Sequence, residues 1–552
     1  MTTSESSPPP PPSTFDTALL RTISETQEFR FLRSLRTRHV ATEPRRRDWA
    51  EIGVAVAAIV LSIAACVHFA LQDRLLGYHD AYSHLEISRR VMTGRTTGIA
   101  QLGTIWLPLA HVLQALFAWN STLYRTGLAG AFVSMASFVV GTVLIYRIVR
   151  VFSPNRAWPA IAAAAVFMTS PNMLYHQTTA MDELPFFALV LAATYGLVRW
   201  AATRRPGYLL EAAMAMMLAM LCRYEGWFLA VVFTGVVLVT ARQTGHSWRD
   251  TRGLVYMYSV FGVLTASVGW LVYNLLITGS PVNFLFGPNS SHDQMAKRHT
   301  DVAIGSWSKT LRAYGGMLVA DHGILVLLAA LGGLVLIVVV ERLSARSLPI
   351  IALTTLIPFY VVTIEDGQEP VGIPPVNDYL LNLRFGLVVA LPAALLIGYL
   401  LTRVPARFSV AAGAVATAVL VLLSANTFRL NNIVTVAEAE QDLVDQSVQA
   451  ATSEFLAQHT EGPILINLVG NERVAFGVLD RVIYEGSREG KTNVWTTALR
   501  DPRAVGAEVV VMRSSTLHGQ DDVYTALNGS PAMAAYRVVL TNTDYKVYQL
   551  HK

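Results

Sequence analysis

The chain has 552 residues, of which 53% are hydrophobic and 15% charged, whereas soluble domains carry about 25% charged residues. Its two cysteines, Cys66 and Cys222, both lie in apolar runs, which excludes a disulfide-linked secreted scaffold. The formal net charge is +5, but membrane proteins place Lys and Arg beside lipid headgroups, so this charge does not indicate nucleic acid as a partner. The composition predicts a mainly α-helical, polytopic membrane protein with room for a small soluble domain.

Apolar runs predict about 11 transmembrane helices, because about 20 apolar residues are needed to cross about 30 Å of hydrocarbon. The run 104–119 is also apolar, but Pro108 and His111 interrupt it, and we expect it to lie at the interface or to re-enter the membrane. The predicted spans are, in chain order, 50–72, 127–148, 158–175, 185–201, 208–221, 227–241, 254–277, 322–341, 347–364, 385–402 and 408–426.

The distribution of arginines predicts the orientation of these spans. Cytoplasmic loops carry an excess of Lys and Arg, and three arginines at 45–47 precede the first span. Counting from there, short arginine-rich loops fall on the side of the N-terminus, whereas the longer loops 73–105, 278–321 and 365–384 fall on the opposite side. We therefore expect a multi-pass plasma (inner) membrane protein with a cytoplasmic N-terminus and an extracytoplasmic C-terminal domain.

Changes in composition divide the chain into three regions. Residues 1–48 are expected to form a disordered or amphipathic cytoplasmic N-terminus, since a proline run precedes a basic stretch with interspersed apolar residues. Residues 49–430 carry the apolar runs and form the predicted membrane domain. Residues 431–552 combine an amphipathic helix, short apolar strands and a final hairpin, which predicts a small α/β domain. No glycine-rich phosphate-binding motif follows these predicted strands, so a nucleotide-binding role has no support.

The first outer loop carries a candidate acid. If the segment HDAYSHLEISRR is helical, Asp80 and His84 project from one face directly after the first span. An acid at a membrane surface, shielded by other spans, can act as a general base. The alternative is a solvated loop whose first-turn acid is favoured by the helix dipole.

A second acidic pair lies between the third and fourth predicted spans. In the segment TTAMDELPFF, Asp182 and Glu183 come directly before Pro185, a residue tolerated at a helix start. These acids are either stabilised by the helix dipole, or they form a second carboxylate site facing Asp80 for a metal ion or a substrate hydroxyl. Oxygen ligands suit Mg²⁺, Mn²⁺ or Ca²⁺.

Two arginines stand beside apolar segments on the side where positive charge is otherwise sparse. Arg223 and Glu225, in LCRYEGWF, interrupt an apolar helical hairpin, and Arg384 opens the tenth span. Charges close to hydrocarbon usually face a cavity or a partner, although Arg223 and Glu225 could instead pair with each other. Because arginine holds phosphate oxygens with two parallel hydrogen bonds, two outward arginines and an outward acid predict a phosphorylated substrate.

In combination, these motifs resemble the GT-C superfamily of integral-membrane glycosyltransferases, which use polyprenyl-phosphate-linked sugars. The pattern consists of the acid Asp80, a WLPL segment after it, an acid before proline, an R-x-E-G turn and an N-x-R-F entry to a late helix. The resemblance covers residues 50–400 and is nearest to the bacterial aminoarabinose transferases and the protein O-mannosyltransferases. Asp80 is followed by Ala81, whereas the mannosyltransferase pattern has Asp-Glu.

The resemblance implies a role for each of these residues. Asp80 corresponds to the catalytic acid of the first loop, and Arg223 and Arg384 fall where members contact the lipid phosphate. The second acidic position helps some members to bind a divalent metal, so a site for Mg²⁺ or Mn²⁺ at Asp80, Asp182 and Glu183 is the one cofactor site expected. The expected substrate-binding residues are His84, Asp182, Glu183, Arg223, Glu225 and Arg384.

We therefore expect a hexosyl- or pentosyltransferase of cell-envelope glycosylation. It would move a sugar from a polyprenyl-phosphate donor to a hydroxyl of a glycan, lipid or protein acceptor at the extracytoplasmic face, with Asp80 as general base. The alternative is a secondary transporter or a lipid flippase of the same membrane. Transporters usually place ionisable residues near the bilayer midplane and often contain repeats, whereas the acids here gather at one face.

Overall fold

The computed structural model describes residues 48–288, 290, 292–293, 303–489, 492–515 and 519–551. The predicted N-terminal region 1–48 therefore lies outside the described residues, apart from Asp48. Residues Ala50–Lys552 form one compact unit. This unit holds both the apolar spans and the C-terminal domain, so the two predicted domains share one folded body.

Within the described residues, eight helices are long and apolar enough to cross a membrane. Each of the predicted spans coincides with a helix, so the mainly α-helical, polytopic architecture is confirmed. The eight long helices are Trp49–Ala70, Leu128–Phe152, Glu183–Thr203, Glu225–Gln243, Trp248–Thr278, Ile324–Glu341, Leu348–Glu365 and Leu383–Thr402.

Of the remaining predicted spans, 158–175 and 208–221 correspond to interrupted or shorter helices, and 408–426 corresponds to the 21-residue helix Ser409–Arg429. The span 158–175 is divided where Ser170 caps a new helix and Pro171 occupies its first turn, a position that needs no backbone N–H. The segment predicted to re-enter contains the helix Pro108–Ala118, whose 11 residues extend about 16 Å and cannot cross the hydrocarbon. The other helices of the membrane domain are Ser121–Arg125, Trp158–Met168, Pro171–His176, Pro206–Met220, Asn283–Phe286 and Ser409–Arg429.

The longest helix that was not predicted in the membrane domain has a half-polar sequence. The loop predicted at 278–321 contains the helix Trp307–His322. Its buried side chains recur at helical spacing, a pattern that is present in the sequence but is weaker than an apolar run. These buried residues are Thr310, Ala313, Tyr314, Met317 and Asp321.

The spans differ in how far other helices surround them. The segment Leu383–Thr402 is 89% buried inside the protein, whereas Ile324–Glu341 is 17% buried. These two segments touch at a glycine: a Cβ on Gly333 would lie 2.3 Å from the carbonyl oxygen of Leu396. Small residues allow such close approach between membrane helices, so the segment that begins with Arg384 is held at the centre of the helix bundle.

The C-terminal region is an α/β domain, as predicted. The strands in the described part of this domain are β1 Ile464–Leu465, β2 Val482–Ile483, β3 Arg488–Glu489, β4 Thr492–Asn493, β5 Val509–Arg513, β6 Tyr536–Thr541 and β7 Tyr545–Leu550. Five of them form a sheet in the order β2-β1-β5-β7-β6. Strand β1 is parallel to β2 and β5, and the final hairpin of β6 and β7 is antiparallel.

The two faces of this sheet pack in different places. Ile464, Val509 and Val547 point into the hydrophobic core that also includes the membrane spans. Leu465 and Val510, which alternate with them, point into a separate core under the short helices of the domain. Those helices are Trp495–Arg500 and Asp522–Leu527, whereas the short helix Glu472–Ala475 packs in the core shared with the membrane spans. The domain is therefore docked on the membrane part through one face of its sheet.

The predicted amphipathic helix of this region divides at Gln446 into Val434–Asp445 and Ser447–His459. The first part, which we call the linker helix, returns to the membrane domain. Its Thr435 accepts a hydrogen bond at its carbonyl from the Tyr78 hydroxyl at 3.0 Å. The backbone N–H and hydroxyl of Thr435 both donate to Asn172 Oδ1. The linker helix therefore lies directly over the start of the first outer loop.

Candidate active site

Four helix starts bring the predicted site residues together. Asp80 lies in the first turn of His79–Arg90, which we call the loop helix. Asp182 and Glu183 begin a membrane span, and Arg223 precedes a turn that leads to Glu225 at the start of another. The fourth start is that of the span opened by Leu383 and Arg384. Helix starts carry partial positive charge, which favours carboxylates at these positions.

Two arginines connect these carboxylates. Arg384 donates through Nη2 to Asp80, and its Nε lies 3.2 Å from Glu183 Oε1. Arg223 Nη1 bonds Asp182 Oδ1 at 2.5 Å and the same Glu183 oxygen at 2.9 Å. Glu183 thus faces both guanidinium groups.

The other two guanidinium nitrogens of Arg223 bond a third carboxylate, that of Glu225. Its Nε and Nη2 donate to Glu225 Oε1 at 2.9 and 2.7 Å. The internal Arg223–Glu225 pair left open by the sequence is therefore present, within a larger network. We call this network the acid–arginine cluster; its members are Asp80, Asp182, Glu183, Arg223, Glu225 and Arg384.

Residues that sequence reasoning missed support the cluster. His176 bonds Glu183 Oε2 at 2.9 Å, and the Tyr360 hydroxyl donates to Glu225. The Phe385 ring lies 5.5 Å from the Arg384 guanidinium carbon and 5.6 Å from that of Arg223. Phe385 follows Arg384 in the sequence and could have been found there, whereas Tyr360 and His176 carry no local signal.

The cluster carries more negative than positive charge, since its six members have four carboxylates and two guanidinium groups. Burial opposes ionisation of Asp80, but Arg384 and His79 together hold its pKa below the usual value. Burial raises the pKa of Asp182 despite the neighbouring Arg223. Asp80 is therefore ionised at neutral pH and is a weak base while it remains paired with Arg384.

His84 lies close to the cluster, but its ring forms a hydrogen bond with a residue outside the cluster. Its Nδ1 is 2.9 Å from His111 Nε2, and its ring stacks on Trp106 with centroids 4.4 Å apart. Burial lowers the pKa of His84, which favours the neutral imidazole. The sequence placed His84 on the same helix face as Asp80 and among the expected substrate-binding residues, but it predicted neither Trp106 nor His111 as its partner.

Two further acids, Glu438 and Glu369, lie beside the cluster. Glu438, from the linker helix, is buried and interacts with the backbone N–H groups of Asn382 and Leu383 beside Arg384, and burial raises its pKa to about 8. Burial also raises the pKa of Glu369 to about 8. Glu438 was not singled out from the sequence, because an acid in an amphipathic helix is normally assigned to the solvated face.

The predicted metal ligands Asp80, Asp182 and Glu183 are each paired with arginine. Across the part of the chain that the structure describes, no group of three or more His, Cys, Asp and Glu side chains is placed to hold a metal ion. A divalent cation does not fit this arrangement, because two guanidinium groups already occupy the space between the carboxylates. The metal site therefore stays a prediction from the sequence, and the chemistry below uses none.

A family model matches the middle of the membrane domain. The family described as dolichyl-phosphate-mannose-protein mannosyltransferase matches residues 108–273. This range contains Asp182 and Arg223 but neither Asp80 nor Arg384. A comparison with curated proteins gives no match.

Solved structures match over nearly the whole chain. ArnT from Cupriavidus metallidurans bound to undecaprenyl phosphate has a TM-score of 0.54 at 16% identity, covering 90% of this chain and 98% of that chain. Its apo state has a TM-score of 0.55 at 17% identity, with the same coverage. The Archaeoglobus fulgidus oligosaccharyltransferase tethered with an acceptor peptide has a TM-score of 0.49 at 11% identity, covering 92% and 74% of the two chains.

The ArnT matches extend from the membrane spans into the C-terminal domain, since they cover nine-tenths of this chain. The chain therefore has the fold of the GT-C superfamily of integral-membrane glycosyltransferases, the superfamily that its sequence resembles.

Proposed function

We propose that this protein is a membrane glycosyltransferase that moves a sugar from a polyprenyl-phosphate donor to an acceptor hydroxyl. The observation that carries the proposal is the convergence of Asp80, Arg384, Glu183 and Arg223 in one cluster formed by four helix starts. A carboxylate beside two guanidinium groups supplies both parts of the chemistry: a proton acceptor, and cations for a phosphate leaving group.

The comparisons support the donor class. The ArnT structure that matches nine-tenths of this chain holds undecaprenyl phosphate, and the matching family is described by a dolichyl-phosphate sugar. Both names describe a long isoprenoid chain attached to phosphate. Neither the sugar nor the acceptor follows from this likeness, so a glycan, a lipid and a protein stay equal candidates for the acceptor.

In the proposed reaction, the charged side chains of the site act on the acceptor hydroxyl and on the departing phosphate. The acceptor oxygen attacks the anomeric carbon while the bond from that carbon to the phosphate oxygen breaks, and the configuration at the carbon inverts. Asp80 takes the hydroxyl proton, an aid worth about 10²–10⁴-fold. Arg384, and Arg223 behind it, stabilise the charge that develops on the departing phosphate. The leaving group is already a stable anion, so no strong general acid is required.

Binding of the donor would also activate Asp80. In the free protein Arg384 is paired with Asp80, which keeps the carboxylate weakly basic. A donor phosphate that engages Arg384 takes over part of this pairing, and the pKa of Asp80 rises toward its ordinary value. The base would therefore become effective only when the donor is bound.

The arginine-rich short loops support the orientation predicted from the sequence, with the cluster at the extracytoplasmic face of the plasma membrane. The polyprenyl chain of the donor would then lie in the outer leaflet beside the spans. The C-terminal domain, which adjoins the loop helix, would lie on the same side as the acceptor.

The test is donor consumption by the purified full chain in lipid nanodiscs. A radiolabelled polyprenyl-phosphate monosaccharide is supplied with a cell-envelope extract, and release of polyprenyl phosphate is measured. We expect release with the wild type and with Asp73→Asn, which changes an exposed acid of the same loop, but not with Asp80→Asn. In vesicles, movement of intact donor between leaflets without consumption would favour the flippase or transporter alternative and overturn the proposal.

A further inference from the structure

A cavity of about 210 Å³ lies between the first outer loop and the C-terminal domain. On the side of the membrane domain it is lined by Arg95 and Thr96, which follow the loop helix in the chain. On the other side it is lined by Ser487, Arg488 and three apolar side chains of the C-terminal domain. None of these residues belongs to the acid–arginine cluster, so the cavity is separate from the proposed catalytic site.

The polar groups of this lining suit an anion. Among the described residues, the lining has two guanidinium groups, two hydroxyls and no carboxylate. Arg95 Nη1 donates to the carbonyl of Val505 at 3.3 Å, and this bond engages one of the five N–H donors that a guanidinium group carries. Arginine binds phosphate through two parallel hydrogen bonds. The cavity therefore offers a phosphate group donors from two distant parts of the chain.

The two walls of the cavity are fixed to each other. The Thr96 hydroxyl donates to the carbonyl of Arg488 at 3.1 Å and accepts from the backbone N–H of Arg488 at 3.0 Å. Because Arg95 is the neighbour of Thr96, these two bonds hold both arginines at one cavity. Two like charges at one cavity repel each other, and a bound anion removes this cost. The cavity is thus preformed for a negatively charged ligand.

The contacts of Arg488 place the cavity at the level of lipid headgroups. Its Nη2 donates to the carbonyl of Ile277 at 3.4 Å, in the last turn of the membrane span Trp248–Thr278. That span has 31 residues, or about 46 Å, and so it extends through the whole bilayer of about 40–45 Å, headgroups included. The Tyr273 hydroxyl of the same span donates to the carbonyl of Ile99 at 2.9 Å, which holds the other wall of the cavity against this end of the span.

Exposed apolar side chains lie next to the cavity. Ile99, three residues after Thr96, is 70% exposed, and Leu276, the neighbour of Ile277, is 77% exposed. Exposed apolar surface of this kind marks contact with the membrane. A free phosphate ion would use the cavity alone, whereas a lipid that carries a phosphate would use both the cavity and the apolar surface beside it.

We propose that this cavity binds the phosphate of an anionic membrane phospholipid, whose acyl chains lie along the exposed apolar face of Trp248–Thr278. Arg95 and Arg488 hold the phosphate, as basic pockets between membrane segments hold other anionic headgroups. The lipid joins the segment after the loop helix to the C-terminal domain and anchors that domain to the bilayer surface. This binding does not depend on sugar transfer or on the donor phosphate, which is assigned to Arg384.

The test is lipid binding by the purified full chain, measured by native mass spectrometry in detergent micelles. Phosphatidylglycerol is compared with diacylglycerol of the same acyl chains, which lacks the phosphate. The cavity variant is Arg95→Gln/Arg488→Gln, and the control is Arg500→Gln/Arg503→Gln, which removes two exposed arginines of the C-terminal domain that do not line the cavity. We expect the affinity for phosphatidylglycerol to fall by about 25-fold in the cavity variant, about fivefold for each arginine, and to be unchanged in the control. Diacylglycerol should bind weakly and equally to all three proteins.

Equal affinity of the wild type and the cavity variant for phosphatidylglycerol would overturn the proposal. An equal loss in the control variant would also overturn it, because the loss would then reflect surface charge in general. Inorganic phosphate tests the other source of the anion: if it raises the thermal stability of the wild type as much as phosphatidylglycerol does, the ligand is a free anion and the assignment to a lipid is wrong. If the double variant does not fold, Arg95→Gln, which changes an exposed side chain, should alone lower the affinity by about fivefold.

Discussion

Arg384 donates to the carboxylate of Asp80, although the two residues lie 304 positions apart in the chain. This pair joins the first outer loop to the most enclosed membrane span, which is 89% buried. Asp80 is the expected base, and its partner Arg384 is the expected phosphate-binding group. Donor binding should therefore exchange the carboxylate for phosphate as the partner of Arg384, and this exchange activates the base. The predictions below test this exchange and the packing that supports it.

The free enzyme and the donor complex should differ in their pH dependence. Burial opposes ionisation of Asp80, but Arg384 holds its pKa below the ordinary value, so Asp80 stays ionised as the pH falls and protonates only at more acidic pH. The profile of kcat/KM, which reports the free enzyme, should therefore have its Asp80 limb at lower pH than an ordinary aspartate would give. The profile of kcat should show an acid limb at higher pH, since the phosphate has then taken over Arg384. Identical limbs in the two profiles would contradict the exchange.

Arg384→Lys should weaken donor binding while the protein still folds. Lysine keeps the charge but loses the planar fork that holds two oxygens at once. We expect donor affinity to fall by about 10- to 100-fold, as for loss of a hydrogen bond to a charged group, measured by binding of labelled polyprenyl phosphate. The control is Arg403→Lys at the other end of the same span, where the side chain is 45% exposed and pairs with Glu341. Equal loss in the two variants would remove Arg384 from phosphate binding.

Arg223→Ala should strongly destabilise the protein, because it leaves several buried carboxylates without their shared cation. Arg223 is the shared partner of Asp182, Glu183 and Glu225, and removing one side of a buried ion pair costs about 3–5 kcal/mol. Adding Glu225→Gln should restore part of the lost stability, because one buried charge fewer is then unpaired. Thermal unfolding in detergent checks both variants. A double variant less stable than Arg223→Ala would contradict this electrostatic account.

Removal of divalent cations should leave activity intact. The carboxylates predicted as metal ligands are paired with Arg223 and Arg384, which already supply the positive charge that a cation would bring. We therefore expect donor consumption in EDTA to equal that in Mg²⁺ or Mn²⁺. Loss of activity in EDTA that either ion restores would establish the metal site and require the arginine pairs to rearrange.

Two adjacent glycines give a matched test of helix packing. A Cβ at Gly333 would lie 2.3 Å from the Leu396 carbonyl oxygen, whereas a Cβ at Gly332 would meet nothing within 4 Å. Gly333→Val should therefore separate the two spans and cost about 1–3 kcal/mol, while Gly332→Val should be tolerated. Because Leu396 belongs to the span that begins with Arg384, transfer activity should fall in Gly333→Val. Equal stability of the two variants would contradict the close packing.

Much of this organisation could be predicted from the sequence. The spans are apolar runs, and such runs can be recognised without any knowledge of distant residues. Asp80, Arg223 and Arg384 could be singled out because charges at the edge of apolar segments are rare and usually functional. Their motifs also occur in the order that the GT-C resemblance requires.

The partners of these residues could not be predicted, because they depend on contacts between distant segments. Nothing near Glu225 indicates that Tyr360 donates to it. Glu438 has the sequence context of a solvated helix acid, yet it is 3% exposed beside Arg384. The predicted metal site shows the same difficulty, since the acids and both arginines were singled out from the sequence, but the pairing of Asp80, Asp182 and Glu183 with those arginines was not.

The linker helix has a consequence for any shortened form of the protein. A chain that ended at Asn432 would retain all of the membrane spans, and its hydropathy plot would be unchanged. Yet the Tyr78 hydroxyl would lose its acceptor and Asn172 Oδ1 both of its donors, beside the start of the loop helix. Inactivity of such a truncation would therefore not show that an acceptor-binding module is missing, because the start of the loop helix would be disturbed as well. Single substitutions are the sounder way to dissect the two halves.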